Sequence, residues 1–316
     1  MKKSVRRMQI VFMGSSVVAC PSLVALSSEG VDHIAGVITQ PDRPSGRGQK
    51  VVRSPLKECV PAGMNVHTPE DINADASIEL LRSLKPDVIV IVSFGQILSA
   101  AILAIPPLGC VNLHPSLLPK YRGAAPIQWA IANGDKITGV TTMFINERMD
   151  AGDIILQREV PIADTDTGGL LQLKLANEGA VLLVETMKLV RSGNIQRRPQ
   201  SQKDVTFARI LKKADGRIDW TMSASRIHNR VRAFNPWPGS FCEAPTGSGR
   251  LLKVLETSVE DSAECRPGWV VEWSGTGPLV QTGEKALRLV MVQPENKKAM
   301  SGQSYLCGHP QLEQFG

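Results

Sequence analysis

Short apolar runs of strand length alternate with segments of helical period through the first half of the chain. Five of these runs predict strands, at residues 9–13, 33–39, 87–92, 109–113 and 138–145. Segments with helical spacing, such as 77–84, lie between several of them. Continuous apolar runs are typical of strands that are buried on both faces. The pattern therefore predicts an α/β domain in which helices cover both faces of a parallel sheet.

Turns and loops follow these strands at the edge where open α/β sheets bind ligands. The first strand ends at Gly14-Ser15-Ser16, a turn of small residues that leads into a helix. No G-x-G-x-x-G or G-x-x-x-x-G-K-[ST] pattern is present, so a dinucleotide or P-loop nucleotide site has no local support. Residues 146–152 separate two strand-like runs and predict a hairpin loop that presents Asp150. A long helix is expected at 167–190.

The pattern changes after residue 193. The following stretch is polar, basic and without periodicity, which predicts a linker. Beyond it, short strand candidates separated by glycine and proline predict a smaller β-barrel domain of the OB-like type. We therefore expect an α/β domain at 1–193, a basic linker at 194–206 and a β-rich C-terminal domain at 207–316. A chain of 316 residues agrees with two domains of roughly 150 residues each.

Composition narrows the class of protein. The hydrophobic share of 42% is ordinary for a globular protein, and no run approaches the ~20 apolar residues of a spanning helix. Six scattered cysteines without a C-x-x-C pair predict reduced thiols and no zinc site. Basic residues before an apolar run ending at Cys20 resemble a secretory signal, but Gln9 and the turn at 14–16 interrupt that run. We expect a cytoplasmic protein without a membrane partner.

The net charge of +6 is unevenly distributed. Residues 196–316 hold 17 basic against 12 acidic side chains, which is almost the whole excess. The basic side chains are densest in one stretch, namely Arg197, Arg198, Lys203, Arg209, Lys212, Lys213, Arg217, Arg226, Arg230 and Arg232. A polyanion such as RNA fits this stretch, although charge alone fits a solvated basic surface equally well.

Asn112, His114 and Asp150, here called the polar trio, combine an amide, an imidazole and a carboxylate. Asn112 and His114 lie two apart at the end of a strand, so their side chains point to the same side. Such groups can hold an acyl carbonyl, stabilise an oxyanion and move a proton, which favours acyl transfer. Taken singly, each residue has an ordinary structural explanation as a hydrogen-bonded loop or core residue. Ser116 lacks the G-x-S-x-G context of a hydrolase nucleophile.

Residues 116–127, taken with the polar trio, resemble the signature of folate-dependent formyltransferases. Residues 40–48, which read Gln-Pro-Asp-Arg-Pro-Ser-Gly-Arg-Gly, narrow the resemblance to the methionyl-tRNA formyltransferases of that family. Residues 215–220 and 230–239 are similar to the second domain of the same enzymes. The resemblance spans nearly the whole chain, and its first two motifs are specific.

The resemblance implies transfer of a formyl group from 10-formyltetrahydrofolate to the α-amino group of methionyl initiator tRNA, which prepares N-formylmethionyl-tRNA for translation initiation. Asn112 and His114 would stabilise the tetrahedral oxyanion, worth a few kcal/mol together. Asp150 would orient His114 and help to remove the proton of the attacking amine. That amine titrates at roughly 7.7 to 8.0 when unperturbed, so a modest base suffices and no metal is required.

The same resemblance assigns residues to folate. They are Gln96, Ile97, Leu98, Ser116, Leu117, Leu118 and Pro119, together with the loop at 146–150. For the four aliphatic residues of this set, plain core packing explains the sequence equally well.

The segment 40–53 is assigned to tRNA by the same resemblance. Arg43, Arg47 and Lys50 are spaced by glycine and proline, which predicts a basic loop without regular secondary structure. This loop would contact phosphates or unpaired bases at the acceptor end, while the linker and the second domain clamp the tRNA body.

One segment departs from the family pattern. The first turn of family members usually reads Gly-Thr-Pro-x-Phe, whereas this chain has Gly14-Ser15-Ser16-Val17-Val18, so an aromatic wall of the methionine pocket is missing.

Two other functions stay open: a sugar-nucleotide N-formyltransferase with the same trio, and an RNA-binding protein with a catalytically silent fold. The glycine-rich basic segment argues against the first and the intact trio against the second. We expect a monomer.

Overall fold

The computed structural model describes residues 7–45, 50–245, 247–262, 265–273, 275–309 and 313–316. Its contacts divide the chain into two compact units that interleave along the sequence. The first unit contains Met1–Gly123, Ile137–Pro161 and Gln172–Phe207. The second unit contains Ala124–Lys136, Ile162–Leu171 and Ala208–Gly316.

The secondary structure alternates through the first half and is mostly strand in the second. Up to residue 192 the elements are β1 (Gln9–Gly14), α1 (Ala19–Ser28), β2 (His33–Ile38), β3 (Arg43–Ser45), β4 (Lys50–Val52), β5 (Val66–His67), α2 (Asp75–Ser83), β6 (Val88–Val92), α3 (Ala100–Leu103), β7 (Cys110–His114), β8 (Arg122–Gly123), α4 (Pro126–Ala132), β9 (Ile137–Phe144), β10 (Ile154–Pro161) and α5 (Gly168–Ser192). They continue with β11 (Phe207–Ala208), α6 (Ala224–Ala233), β12 (Ser240–Glu243), β13 (Leu251–Glu260), β14 (Val270–Glu272), β15 (Leu279–Gln281), β16 (Ala286–Pro294), β17 (Met300–Ser301) and α7 (Gly302–Cys307). Short 3-10 helices lie at Pro55–Cys59 and Lys213–Gly216.

The first unit is built on a seven-stranded sheet in the order β10-β9-β7-β6-β1-β2-β5. The five strands from β7 to β5 are parallel, which confirms the predicted parallel sheet. All five residues of β6, Val-Ile-Val-Ile-Val, are buried, as expected for a β-branched run between two strands. Helix α5 confirms the long helix predicted at 167–190.

The direction of β9 corrects the sequence interpretation. The run at 138–145 was expected to join the parallel sheet, but β9 pairs antiparallel with β7 and again with β10. An antiparallel edge on a parallel sheet is common, and an apolar run gives no information about strand direction. The β9–β10 pair confirms the predicted hairpin around residues 146–152.

The turn after β1 requires glycine for a close approach. A Cβ atom on Gly14 would lie 2.8 Å from Cβ of Ala19 in α1 and 2.9 Å from the carbonyl oxygen of Val92 in β6. Real Cβ atoms do not approach other atoms so closely, so α1 can begin directly above the strand ends only because this position lacks a side chain. The small residues that predicted a turn here therefore also allow the helix to pack.

The second unit confirms the β-rich C-terminal domain. Its six-stranded antiparallel sheet has the order β12-β13-β16-β15-β14, with β17 paired to β16. Helix α6 contributes Ile227 and Val231 to a core that also buries Trp220, Leu287 and Phe315. Closure of this sheet into a barrel stays a prediction. In the described part of the chain, no helix is both long enough and apolar enough to span a bilayer.

The expectation of six reduced thiols is wrong at two positions. Cys20 in α1 and Cys59 at the end of the first 3-10 helix form a disulfide, with their Cα atoms 5.7 Å apart. Spacing rules for cysteine pairs consider local motifs, whereas this pair is 39 residues apart and depends on the packing of α1 beside residues 55–59. Cys110 and Cys242 are buried free thiols, and burial raises the pKa of Cys110 to about 12.

We expect the Cys59→Ser substitution to lower the free energy of unfolding by up to about 4 kcal/mol, because a cross-link over 39 residues restricts the unfolded chain. Urea unfolding followed by circular dichroism, with and without dithiothreitol, measures the difference. Cys265→Ser is the matched control because Cys265 is an exposed free thiol. Equal midpoints for the wild type under oxidising and reducing conditions would contradict the assignment.

Candidate active site

His114 is the last residue of β7 and is buried at the carboxyl end of the parallel strands. Its Nε2 atom lies 2.9 Å from the carbonyl oxygen of Tyr121, in the loop that follows the strand. A carbonyl oxygen only accepts, so Nε2 carries the hydrogen in this contact and donates it. In the neutral ring Nδ1 is then the atom without a proton, and it is the nitrogen left for proton transfer.

Asp150 lies in the turn between β9 and β10, with a left-handed φ of +46°. Its Oδ2 atom accepts a hydrogen bond of 2.8 Å from the backbone N–H of Gly123 and lies 3.7 Å from Nδ1 of His114. The latter distance is longer than a hydrogen bond but well within the range of charge interaction. Because the two side chains are only 17% and 5% exposed, the carboxylate can stabilise a proton that arrives on Nδ1.

Asn112 lies two residues before His114 on β7, between Ile91 of β6 and Met143 of β9. The alternation of side chains along a strand places Asn112 and His114 on the same face of the sheet. The Asn112 side chain is half-buried, and no residue in the described ranges makes a hydrogen bond with its amide. The structure therefore brings His114 and Asp150 together and places Asn112 on the face of β7 that His114 uses.

The residues predicted to line folate after β7 stabilise their own loop. Ser116 is fully buried, its hydroxyl donates to the carbonyl oxygen of Lys120 at 2.7 Å, and its carbonyl oxygen accepts from Thr141 at 2.6 Å. Leu118 packs with Met143 and Ile154. Leu117 and Pro119 are half-buried. Leu118 is therefore a core residue, which is the alternative explanation that the sequence allowed for it. Leu117 and Pro119 keep exposed surface that is accessible to a ligand.

The three residues after β6 that are predicted to bind folate differ in exposure and contacts. Gln96 uses its side-chain oxygen to accept the N–H of Ile72 at 2.9 Å. Leu98 is buried in the core with Ile102, whereas the Ile97 side chain is 78% exposed. An aliphatic side chain so exposed has surface available for a flat apolar ligand, and a core leucine has not.

The predicted basic loop contains regular structure, contrary to expectation. Strands β3 and β4 pair antiparallel, with Pro44 opposite Val51. Proline is tolerated in such an isolated two-stranded pair because its missing N–H need not enter a larger ladder. Arg43 is exposed and pairs with Glu70 at 3.1 Å. Lys50 begins β4, and Arg47 lies outside the described residues.

The basic stretch at 197–232 divides into two kinds of side chain. Arg230 donates to the carbonyl oxygen of Asp215 at 2.7 Å, and Arg232 donates to the carbonyl oxygens of Ala163 and Asp166 at 3.1 and 3.0 Å. Both arginines are half-buried and stabilise the second unit. The other eight basic side chains are exposed. One of them, Arg209, hydrogen-bonds to Asp215 and lowers the pKa of that carboxyl group to about 2.

Sequence reasoning missed Gln200, which is 8% exposed within the stretch expected to be a linker. That stretch is irregular, but two further contacts hold it to the first unit: Arg198 bridges Ile154, and the hydroxyl of Thr206 accepts the N–H of Tyr121 at 2.8 Å. A single polar residue in an aperiodic segment carries no local signal of burial. Only the three-dimensional path of the chain shows that Gln200 lies behind the Asp150 turn.

A buried imidazole and carboxylate at the carboxyl end of a parallel strand are typical of α/β enzymes that use acid–base chemistry. The family described as "Formyl transferase" matches residues 8–187, and "Formyl transferase, C-terminal domain" matches residues 210–310. The chain belongs to the formyl transferase family. No cluster of three metal-ligating side chains occurs in the ranges that the structure covers.

Relatives with similar sequences extend over nearly the whole chain. The methionyl-tRNA formyltransferase of Moorella thermoacetica is 46% identical over 307 residues, which cover 96% of this chain and 97% of the relative. The methionyl-tRNA formyltransferase of Agathobacter rectalis is 44% identical over 303 residues, covering 95% and 96%.

Solved structures share the fold at lower identity. HypX from Aquifex aeolicus, in complex with tetrahydrofolic acid, matches with a TM-score of 0.61 and 17% identity. The match covers 95% of this chain and 47% of HypX, so the chain spans about half of that protein. WlaRD, a sugar 3N-formyl transferase, matches with a TM-score of 0.64 and 19% identity over 93% of this chain and all of that one.

Proposed function

We propose that this chain transfers a formyl group from 10-formyltetrahydrofolate to the α-amino group of methionine carried by initiator tRNA. The observation that carries the proposal is the approach of the Asp150 carboxylate to within 3.7 Å of His114 at the carboxyl end of β7. Relatives 46% and 44% identical that are named methionyl-tRNA formyltransferases support the acceptor. The tetrahydrofolic acid in HypX supports the donor.

The side chains of the polar trio divide the chemistry. When the α-amino nitrogen attacks the formyl carbon, negative charge develops on the formyl oxygen, and the Asn112 amide is the donor placed to stabilise it. His114 accepts the amine proton at Nδ1, because Nε2–H is already given to the carbonyl oxygen of Tyr121. Asp150 stabilises the resulting imidazolium. His114 then returns the proton to the departing folate nitrogen as the bond from that nitrogen to carbon breaks.

The proposal assigns folate and chemistry to residues 1–193, and tRNA binding to 207–316 and the basic linker 194–206. The limits of the two family matches, 8–187 and 210–310, support this division. It includes the seven residues assigned to folate, of which Ile97 has the most exposed surface. It also includes a monomeric state and a cytoplasmic location. The location rests on charged initiator tRNA as the acceptor and not on the cysteines, two of which form a disulfide.

Purified protein should formylate methionyl initiator tRNA when 10-formyltetrahydrofolate is the donor. The measurement is a single-turnover assay that follows formyl-methionine after base hydrolysis of the tRNA, with a UDP-amino sugar present as a competing acceptor. Formylation of the sugar in place of the tRNA would assign the chain to the sugar-nucleotide branch. Binding of tRNA without transfer to either acceptor would indicate a silent fold.

Asp150→Asn should reduce the transfer rate about 10³-fold, because asparagine keeps the Gly123 contact and tolerates the left-handed backbone but removes the charge beside His114. Asn112→Ala should reduce it about 10²-fold through loss of an oxyanion donor. Quench-flow with saturating substrates measures both rates. Asp164→Asn, at an exposed carboxylate paired with Lys136, is the control and should leave the rate unchanged. An Asp150→Asn enzyme with wild-type rate would refute the assigned roles.

Arg43→Ala and Arg47→Ala should weaken transfer to tRNA about tenfold each at low salt while donor affinity stays constant, since each removes a phosphate contact. The salt dependence of the tRNA dissociation constant should become shallower in both variants. Arg82→Ala is the matched control, because Arg82 is an exposed arginine paired with Glu79 just as Arg43 is paired with Glu70. A loss as large in the control would contradict a specific role for the segment.

A further inference from the structure

Two buried polar side chains lie behind the turn that carries Asp150. The guanidinium of Arg122 is 6% exposed and donates two hydrogen bonds to the side-chain oxygen of Gln200, from Nε at 3.0 Å and from Nη2 at 2.7 Å. The side-chain nitrogen of Gln200 donates to the carbonyl oxygens of Asp150 and Gly152, both at 2.8 Å. Gln200 therefore connects Arg122 to the backbone on either side of Ala151.

The orientation of the Gln200 amide is fixed by its partners. A guanidinium only donates, so the amide oxygen faces Arg122, and two carbonyl oxygens only accept, so the amide nitrogen faces the turn. Both hydrogens and both acceptor positions of the amide are used in these four bonds. No other natural side chain of the same size offers two donors on one side and two acceptors on the other. Glutamate would keep the contacts to Arg122 and lose both to the turn.

The turn needs such support because its backbone is constrained. Asp150 has a φ of +46°, a conformation that residues with side chains seldom adopt. Gly152 packs so closely on β9 that a Cβ atom there would lie 1.7 Å from the carbonyl oxygen of Phe144. Gln200 donates to the carbonyl groups of Asp150 and Gly152, one on each side of Ala151, and so fixes their direction. The direction of the Asp150 side chain follows from the direction of this backbone.

The backbone beside Arg122 also contacts the side chain of Asp150. The next residue in the chain, Gly123, donates its N–H to the Asp150 carboxylate at 2.8 Å. Burial lowers the pKa of the Arg122 guanidinium, and the negative charge of Asp150 opposes that shift. Residues 122 and 123 thus make two connections to Asp150. Gly123 binds the Asp150 carboxylate directly, and Arg122 is connected to the Asp150 carbonyl group through Gln200.

We propose that Gln200 and Arg122 are positioning residues, which hold the Asp150 turn so that its carboxylate lies beside Nδ1 of His114. This proposal deepens the proposed function. Its expected effect on the rate of formyl transfer rests on that function. Neither side chain contacts the reacting groups; both act through the backbone of the turn.

Gln200→Glu tests the proposal, since it preserves size and the contact to Arg122 while removing both donors to the turn. We expect kcat for formyl transfer to fall about 100-fold, the cost of displacing a catalytic group by about 1 Å, with KM for donor and for tRNA changed less than threefold. Gln172→Glu is the control, because it makes the same substitution in the first unit at a position that the proposed function assigns to neither folate nor tRNA.

Hydrogen exchange gives a second readout that does not depend on activity. The Gly123 amide, which donates to Asp150, should exchange about tenfold faster in Gln200→Glu, while the Val90 amide in the buried strand β6 keeps its rate. Arg122→Lys, which keeps the charge but loses the two-pronged contact, should give an intermediate result in both measurements. Faster exchange in a protein whose wild type does not formylate tRNA would support the positioning role and refute the proposed function.

Three results would overturn the inference. The first is an unchanged Gly123 exchange rate in Gln200→Glu, whatever happens to activity. The second is equal acceleration at Gly123 and Val90, since that pattern reports general loss of stability. A rise in KM with kcat unchanged would likewise refute positioning, because a displaced base affects the chemical step.

Discussion

The arrangement of the polar trio depends on one short piece of backbone, residues 121–123. The carbonyl oxygen of Tyr121 accepts the Nε2–H of His114, and the N–H of Gly123, two residues later, donates to the carboxylate of Asp150. Both functional side chains are therefore held by neighbouring peptide groups. The φ angles of +60° at Tyr121 and +117° at Gly123 allow these peptide groups to face the two side chains. In the buried site each polar atom needs a partner, and this segment supplies partners for both side chains.

Much of the first unit could be predicted from the sequence because strands buried on both faces need continuous apolar residues. The strands at 9–14, 33–38, 88–92 and 110–114 follow that rule, and so does the placement of His114 at a strand end. The direction of β9 relative to β7 was not predictable, because an apolar run has the same pattern in either orientation. The direction of β9 decides where the hairpin begins, and with it the place of Asp150.

The residues that the sequence did not reveal act over long separations. Cys20 pairs with Cys59, and Gln200 contacts a turn 50 residues earlier in the chain. Neither contact has a local pattern, because each is made by the path of the backbone. Charge counting fails for a related reason: Arg230 and Arg232 belong to the basic stretch, yet they donate to backbone carbonyl oxygens within the second unit. The composition gives the number of charged side chains but does not show whether each one already has a hydrogen-bond partner within the fold.

The hydrogen bond to Tyr121 also restricts what His114 can do. With Nε2–H given to a carbonyl oxygen, the ring has one nitrogen left, so it cannot accept a proton at one nitrogen and donate to an oxyanion from the other. In the proposed reaction the oxyanion contact is therefore assigned to Asn112, and Nδ1 both accepts and returns the proton. A single nitrogen can do this only if the imidazolium is stabilised briefly and then loses its proton again. The Asp150 carboxylate lies 3.7 Å from Nδ1 without a hydrogen bond to it, so this nitrogen stays open to the substrate amine.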